Sequence, residues 1–175
     1  MSARTNSAAE SAETEFSITR VFDAPRALVW KALTEPERLE QWWGPRGVTT
    51  RVLKLELRSG GVFLYSQRML DGRQIWGKWV YREIVAPERL VVVNSFCDEK
   101  GNPVRNPFNP NWPLEMLSSS TLTEHQGRTT LTIRAIPINA TEAERKVFDD
   151  GKKSMGEGFT GTLDKLAEYL VKAQR

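Results

Sequence analysis

The feature that most constrains the fold is a long central region, residues 48–137, in which short two-faced segments are separated by turn residues. Segments such as VFLYSQRML and QIWGKWVYREI show a period of two and are rich in β-branched and aromatic residues, which is typical of strands. Ser59-Gly60-Gly61 and Asp71-Gly72 have the composition of short hairpin turns. Together with FSITRVF at residues 16–22, the region predicts about six or seven strands in an antiparallel meander.

Two short helices are predicted after the first strand. Asp23 is expected to cap the first helix, and Pro25 to lie in its first turn, before the segment ALVWKAL. Glu35 and Pro36 then begin the second helix, PERLEQWW, which ends at the Gly44-Pro45 pair because proline cannot continue it.

A long C-terminal helix is predicted from NATEAER onwards, with Asn139 or Thr141 as its cap. Its apolar residues recur along one side at 3.6-residue spacing: Val147, Phe148, Met155, Phe159, Leu163, Leu166 and Leu170. The segment CDEKGNPVRNPFNPNWP, with four prolines and four asparagines, is expected to be a long loop at residues 98–113. The order of elements indicates an α+β fold, in which a curved antiparallel sheet wraps around the terminal helix.

The bulk properties describe an ordinary globular chain. Its 175 residues, 39% hydrophobic and 27% charged, suffice for one domain, predicted over residues 16–175 after a disordered polar tail at residues 1–15. No segment approaches the ~20 apolar residues of a membrane-spanning helix, so no membrane partner is expected. The tail lacks the apolar core of a secretory signal, and the single cysteine excludes an internal disulfide, which together predict a cytoplasmic protein. The net charge of +3 is spread along the chain, which argues against a nucleic-acid partner.

The stretch GEGFTG, residues 156–161, has the G-x-G-x-x-G spacing of dinucleotide-binding proteins. That fingerprint requires a preceding strand and an acidic residue about twenty positions later, whereas this stretch lies inside the predicted helix, near its end. A nucleotide site is therefore not expected. Gly151, Ser154, Gly158 and Gly161 instead form a strip of small residues, which indicates either a close approach of the sheet backbone or space left for a ligand.

Motifs for catalysis or metal binding are lacking. The chain contains no C-x-x-C, H-E-x-x-H, G-x-S-x-G or P-loop, so no metal, cofactor or activated nucleophile is predicted. His125 is expected on the surface in a turn, and Cys97 is expected to be a buried, inert thiol. An acid or base could still arise if four residues converged on a cavity: Tyr65, Tyr81, Glu115 and Arg134.

Four separated motifs carry a resemblance to a known family. They are VFDAPRALVWKALTEPERLEQWWGP, GKWVYREIVAPERL, NPFNPNWPLEML and GFTGTLDKLAEYL, in that order. Over about residues 16–172 the chain resembles the activator-of-heat-shock-protein-ATPase homologues of the START and birch-pollen-allergen helix-grip superfamily. The resemblance implies a deep, mostly apolar cavity between sheet and terminal helix. It also implies relatives as varied as lipid carriers, metabolite binders, polyketide-cyclase-like enzymes and chaperone activators, so the fold alone does not choose a function.

The period of two groups the strand residues that could line such a cavity, although it does not fix which face points inward. One of the neighbouring indoles Trp42 and Trp43 is expected at the cavity mouth, where an amphipathic ring suits both environments. The predicted ligand-binding residues are Trp42, Phe63, Tyr65, Trp79, Tyr81, Met116, Ser118, Met155, Gly158 and Phe159.

The sequence therefore favours a protein that binds a small hydrophobic or aromatic molecule in this cavity, and it assigns no catalytic residue. Two alternatives stay open. One, implied by the resemblance, is a co-chaperone that stimulates a heat-shock ATPase; the other is a cyclase or hydrolase that uses the same cavity. The sequence permits a monomer or a homodimer.

Overall fold

The computed structural model describes residues 14–175, so the predicted tail at residues 1–15 lies almost wholly outside the described residues. The strands are β1 (Phe16–Phe22), β2 (Thr49–Leu55), β3 (Val62–Arg68), β4 (Gln74–Val85), β5 (Arg89–Cys97), β6 (Pro103–Val104), β7 (Glu115–His125) and β8 (Arg128–Ile138). The helices are α1 (Arg26–Thr34), α2 (Pro36–Trp42), α3 (Glu142–Asp150) and α4 (Lys152–Ala173).

The strands form one sheet in the order β1-β8-β7-β5-β4-β3-β2, and β6 pairs with β5 off this path. Every pairing is antiparallel, as the hairpin turns predict. The predicted α+β helix-grip fold, with two short helices after the first strand and a long C-terminal helix, is confirmed. The described residues contain one strand more than expected, because Pro103–Val104, inside the predicted loop, pairs with the end of β5.

The sheet curves around α4. Register shifts between Val52 and Lys54 in β2 and between Tyr81 and Glu83 in β4 are sites where extra residues bend a strand. Leu163, Leu166 and Leu170 of α4 are buried in the same core cluster as residues from α1, α2 and the inner sheet face. This packing leaves α4 as the lid over the concave side of the sheet.

Helix α1 begins later than predicted. Pro25 is its N-capping residue, and the proline side chain cannot accept a hydrogen bond from the first turn. The backbone N–H of Arg26 instead donates to the Glu124 carboxylate at 2.7 Å. Asp23 accepts a hydrogen bond from Arg128 at 2.8 Å, at the edge of the sheet. The prediction that Asp23 caps the helix is therefore wrong, because a carboxylate from β7 satisfies the first turn.

The C-terminal helical segment is divided in two at Gly151. Thr141 caps α3 in a reciprocal arrangement with Glu144, whereas Asn139 adopts a left-handed conformation with φ of 52° before the helix. At Gly151 a Cβ atom would lie 2.8 Å from the ring of Trp112, so a side chain is excluded where this indole packs. Among residues 14–175, no helix is both long and apolar enough to cross a bilayer.

Candidate functional site

A cavity of about 140 Å³, the central cavity, lies between the inner face of the sheet and α4. Its walls are Leu33, Trp42, Trp43, Tyr65, Trp79, Leu90, Val92, Asn94, Ser118, Ser120, Ile133 and Phe159. Among these described lining residues none carries a formal charge. The cavity is therefore an apolar space with a few neutral polar groups, which is typical of small-molecule sites.

Strand alternation brings the lining residues together. Tyr65 of β3 pairs with Gly77 of β4, and Trp79 lies two positions further along β4, on the same inner face. Because Gly77 has no side chain, the Tyr65 ring lies directly over the β4 backbone; a Cβ there would be 2.2 Å from its Cζ and Oη atoms. The Tyr65 ring can occupy this position only because the residue opposite it on β4 is a glycine.

Six aromatic residues form the aromatic cluster: Trp42, Trp43, Phe63, Tyr65, Trp79 and Phe159. Trp43 lies at its centre, with ring centroids 5.1 Å from Trp79 and 6.0 Å from Tyr65, and it meets both rings edge to face. Such T-shaped contacts are favourable because the positive edge of one ring meets the negative face of another. The cluster forms the wall between the central cavity and the surface near α4.

The turn that carries Trp43 is held from two sides. Its carbonyl accepts a hydrogen bond from Thr50 of β2, and the carbonyl of the next residue, Gly44, accepts one from the Lys165 ammonium of α4 at 3.1 Å. Gly44 has a φ of 104°, and a Cβ there would lie 2.6 Å from the amide nitrogen of Gln67. Glycine is required at this turn on both grounds.

The polar atoms around the cavity differ in how they are satisfied. The Trp42 indole N–H donates to the Ala32 carbonyl at 2.9 Å, and the Ser118 hydroxyl donates to Asn94 at 2.7 Å. The Trp43 indole nitrogen is buried beside the Tyr65 phenol, and within residues 14–175 it makes no hydrogen bond of standard geometry.

Tyr65 separates the central cavity from two neighbouring spaces. The outer groove, about 270 Å³, runs along α4 and is lined by Trp43, Gly44, Pro45, Tyr65, Gln67, Met155, Gly158, Phe159 and Thr162. The side pocket, about 120 Å³, is lined by Tyr65, Asn94, Ser95, Phe96, Trp112, Pro113, Leu114 and Met116. Trp43 and Phe159 line both the central cavity and the outer groove. These two rings lie between the central cavity and the outer groove.

The structure places the predicted residues in four positions. Trp42, Tyr65, Trp79, Ser118 and Phe159 line the central cavity. Met155 and Gly158 line the outer groove, and Met116 lines the side pocket. Phe63 and Tyr81 are fully buried in the core behind these walls, and the Tyr81 hydroxyl has no partner among the described residues. Their roles in ligand binding stay predictions.

Sequence reasoning missed Asn94, the polar residue of the inner face of β5. A signal was present, since an amide in the apolar run LVVVNSF, two positions from Val92, shares a face with core residues. The sequence also left open whether Trp42 or Trp43 lies at the mouth of the cavity. Trp43 lines both the central cavity and the outer groove, while Trp42 is 2% exposed and hydrogen-bonded inside.

At Gly158 and Gly161 the small-residue strip leaves space and does not meet the sheet backbone, whereas Gly151, before α4, packs against Trp112. No atom lies within 4 Å of a Cβ built at Gly158 or at Gly161, and at Gly156 the nearest is a Phe16 ring atom at 3.6 Å. Of the two explanations for these glycines, the structure therefore favours open space. GEGFTG lies within α4, as predicted, and follows no strand.

The four candidate acid or base residues do not converge. Glu115 and Arg134 lie on the outer face of the sheet, and Arg134 is 3.6 Å from the Glu15 carboxylate. His125 is exposed at the end of β7, beside the turn, and burial raises the pKa of the Cys97 thiol to about 11. Within residues 14–175 no group of three metal-ligating side chains is assembled.

Comparisons with known proteins identify relatives that match most of the chain. A family model described as Activator of Hsp90 ATPase homolog 1-like protein matches residues 23–171. A protein of Arthrobacter aurescens has a similar structure, with a TM-score of 0.78 and 27% identity over 93% of this chain and 88% of that one. For a protein of Mycobacterium smegmatis the values are 0.72 and 28%, over 90% and 91%. An AHSA1 protein of Silicibacter pomeroyi, at 17% identity and a TM-score of 0.69 over 91% and 99%, shares the fold. No curated protein sequence matches the chain.

Proposed function

This chain belongs to the family of Activator of Hsp90 ATPase homolog 1-like proteins, and on that premise we propose that it acts by binding a small apolar molecule in the central cavity. The observation that supports this proposal is the cavity itself, an uncharged space of about 140 Å³ bounded by the aromatic cluster. An unfilled core cavity of this size forgoes about 3 kcal/mol of packing, on the scale found for engineered cavities. Larger side chains at Ser118 or Ser120 would fill this space and remove that cost, and the two serines leave it open to an occupant.

The chemistry of the lining favours binding over catalysis. Tyr65 is the titratable group in the cavity wall, and burial raises its pKa to about 12, while hydrogen bonding by the nearby indoles of Trp43 and Trp79 partly opposes that rise. A phenol with a raised pKa stays protonated and neutral at pH 7, so Tyr65 offers a hydrogen bond and does not act as a base. The arrangement can therefore recognise a polar atom of a ligand without changing it.

Ligand binding should be measurable from both stability and fluorescence. In a panel of fatty acids, sterols, flavonoids and single-ring aromatics, we expect at least one compound to raise the melting temperature and quench tryptophan emission. At a ligand concentration of 100 Kd, the stabilisation should be about 2.7 kcal/mol. A panel that produces neither signal would contradict the proposal.

A matched pair of variants locates the site. Ser120→Phe introduces a ring into the central cavity and should abolish binding, whereas Ser119→Phe, one residue away on the outer face of β7, should leave it unchanged. Equal binding by the two variants would place the ligand elsewhere.

The outer groove is proposed as the route of entry, because Trp43 and Phe159 line both spaces and Gly158 leaves the groove open beside them. Gly158→Leu should slow both association and dissociation by about tenfold, with little change in Kd, because the side chain obstructs the route and not the bound position. Stopped-flow tryptophan fluorescence would measure both rates.

Gly161→Leu is the control for this change. Gly161 lies on the same helix and is equally free of neighbours, but it does not line the groove. Both variants replace one helical glycine, so they share the same gain in helix propensity. If both slowed binding equally, the groove would not be the entrance.

Stimulation of a heat-shock ATPase, which the family description names, is the second candidate function. A measured rise in chaperone ATPase rate on adding this protein would support it. A cytoplasmic location, and a monomeric or dimeric state, also stay predictions.

A further inference from the structure

Two polar residues, Tyr65 and Asn94, line both the central cavity and the side pocket. Within the described residues, neither space is lined by a side chain with a formal charge, so the boundary between the two consists of neutral hydrogen-bonding groups. A ligand in the central cavity therefore meets its polar contacts at this boundary.

The Asn94 amide has one end occupied and one end free. Its Oδ1 accepts a hydrogen bond from the Ser118 hydroxyl at 2.7 Å. Its Nδ2 donates to no group within residues 14–175, and, unlike the Trp43 nitrogen, it is not among the polar atoms shielded from water-sized molecules. The free end thus opens into the space that Asn94 lines. Because an amide nitrogen only donates, the group that satisfies it must be an acceptor.

The Tyr65 hydroxyl lies close to the same place. It is over Gly77 of β4, where an added Cβ would be 2.2 Å from the phenol oxygen. Gly77 pairs with Phe96 of β5 and Trp79 pairs with Asn94, so Asn94 is the diagonal neighbour of Gly77 across this strand pair. The phenol and the amide therefore approach the boundary from adjacent strands of the inner face.

The Tyr65 phenol also has its donor end free. Burial raises the pKa of Tyr65, and hydrogen bonding by the indoles of Trp43 and Trp79 partly opposes that rise. Indole nitrogen can only donate, so these contacts use the accepting side of the phenol oxygen. The phenol O–H has no acceptor among residues 14–175. Two donors, from Tyr65 and Asn94, are thus left to one acceptor.

The size and charge of the cavity limit the rest of the ligand. An apolar cavity of about 150 Å³ accommodates benzene, whereas pockets for drug-sized molecules begin at roughly 300 Å³. The central cavity, at about 140 Å³, therefore has room for a single ring. A charged group there would lose its hydration without gaining an ionic partner from the described lining residues.

We propose that the ligand is a neutral molecule with a single ring in the central cavity and a carbonyl-type oxygen that accepts hydrogen bonds from the Asn94 amide and the Tyr65 hydroxyl. This inference rests on the proposed function and narrows it to a chemical class and two recognition residues.

Three probes of similar size test the class: acetophenone, ethylbenzene, which lacks the acceptor, and benzoate, which is charged. Dissociation constants would be measured by calorimetry. Acetophenone should bind at least about tenfold more tightly than benzoate. Acetophenone and ethylbenzene are compared through the ratio of their Kd values, so that general changes in the cavity cancel.

Tyr65→Phe keeps the ring and removes the hydroxyl. The Kd of acetophenone relative to that of ethylbenzene should rise about tenfold over wild type, because one donor to the carbonyl is lost. Tyr81→Phe is the matched control, since it removes another phenol hydroxyl from a residue that lies in the core and lines neither space. In that variant the ratio should not change.

Asn94→Leu is tested in a Ser118→Ala background, because alone it would leave the Ser118 hydroxyl without its acceptor. Adding Asn94→Leu to Ser118→Ala should raise the same ratio about tenfold. Urea denaturation of the single and double variants would show that both are folded when the ratios are compared.

The outcomes separate this inference from the function beneath it. If neither these probes nor the wider panel binds, the proposed function fails as well. If benzoate binds as tightly as acetophenone, the function stands and the ligand class is wrong. An unchanged ratio on removing the Tyr65 hydroxyl or the Asn94 amide would overturn the role of that residue. A ratio raised only in Ser120→Ala would place the acceptor elsewhere in the cavity and overturn both roles.

Discussion

Replacing Phe63 with alanine should lower the free energy of unfolding by about 3–5 kcal/mol. Phe63 is fully buried, and its ring centroid lies 4.8 Å from that of Trp79 and 5.0 Å from that of Tyr65. Truncation would remove buried apolar surface, leave a void and free the two rings that form the cavity wall. Urea denaturation followed by circular dichroism would give the value.

Phe108→Ala is the control, because it makes the same chemical change on the surface. Phe108 is 49% exposed and has the Arg73 guanidinium 5.2 Å from its ring, a contact worth about 0.5–1 kcal/mol at such sites. The loss at Phe108 should thus stay below about 1 kcal/mol. Similar losses at the two positions would mean that Phe63 does not support the aromatic cluster.

Gly77→Ala should destabilise the protein by about 1–3 kcal/mol and, in addition, weaken ligand binding at least about tenfold. The added Cβ would lie 2.2 Å from the Tyr65 ring, so that ring must leave its position. Trp43 and Phe63 pack against it at centroid distances of 6.0 and 5.0 Å, which leaves the adjoining spaces, including the central cavity, as the places into which it can move. Denaturation and ligand titration of the same variant would measure both effects.

Two further variants isolate the cause. Gly158→Ala adds the same methyl group at a helical site where no atom lies within 4 Å, and it should stabilise the protein by about 0.5–1 kcal/mol. In Tyr65→Leu, the ring that meets the new Cβ is absent, so adding Gly77→Ala there should cost much less than in wild type. Equal costs in the two backgrounds would show that Tyr65 is not the residue displaced.

The sheet was predictable because its evidence is local. The glycine turns and the period of two between residues 48 and 137 are properties of short segments, and they gave the strands and their antiparallel neighbours. Two errors arose where distant residues intervene. Asp23 does not cap α1, because Glu124 of β7 does so, and the C-terminal segment divides at Gly151, where Trp112 of the loop packs. Sequence spacing cannot show either contact.

The candidate site was predicted in part, for a similar reason. Once one inner-face residue of a strand is known, the period of two assigns the alternate residues of that strand, so Phe63 goes with Tyr65, Gly77 with Trp79 and Met116 with Ser118. The same period placed Tyr81 with Trp79, but it contains no information on depth, and Tyr81 lies in the core. Both Trp42 and Trp43 line the cavity, and which of them lies at its mouth depends on the tertiary packing of a turn, which local pattern does not describe.

Pairing of β1 with β8 joins Phe16 to Ala135, so the first described strand completes its hydrogen bonds only when the last one is present. Contacts of such long sequence separation are slow to form, because the entropy of closing the long intervening segment is lost before they are made. Helix α4 follows β8 in the sequence and supplies one wall of the central cavity. On a ribosome, α4 is made after all the strands of the described residues, so the cavity, and with it the proposed binding site, is absent from shorter precursors.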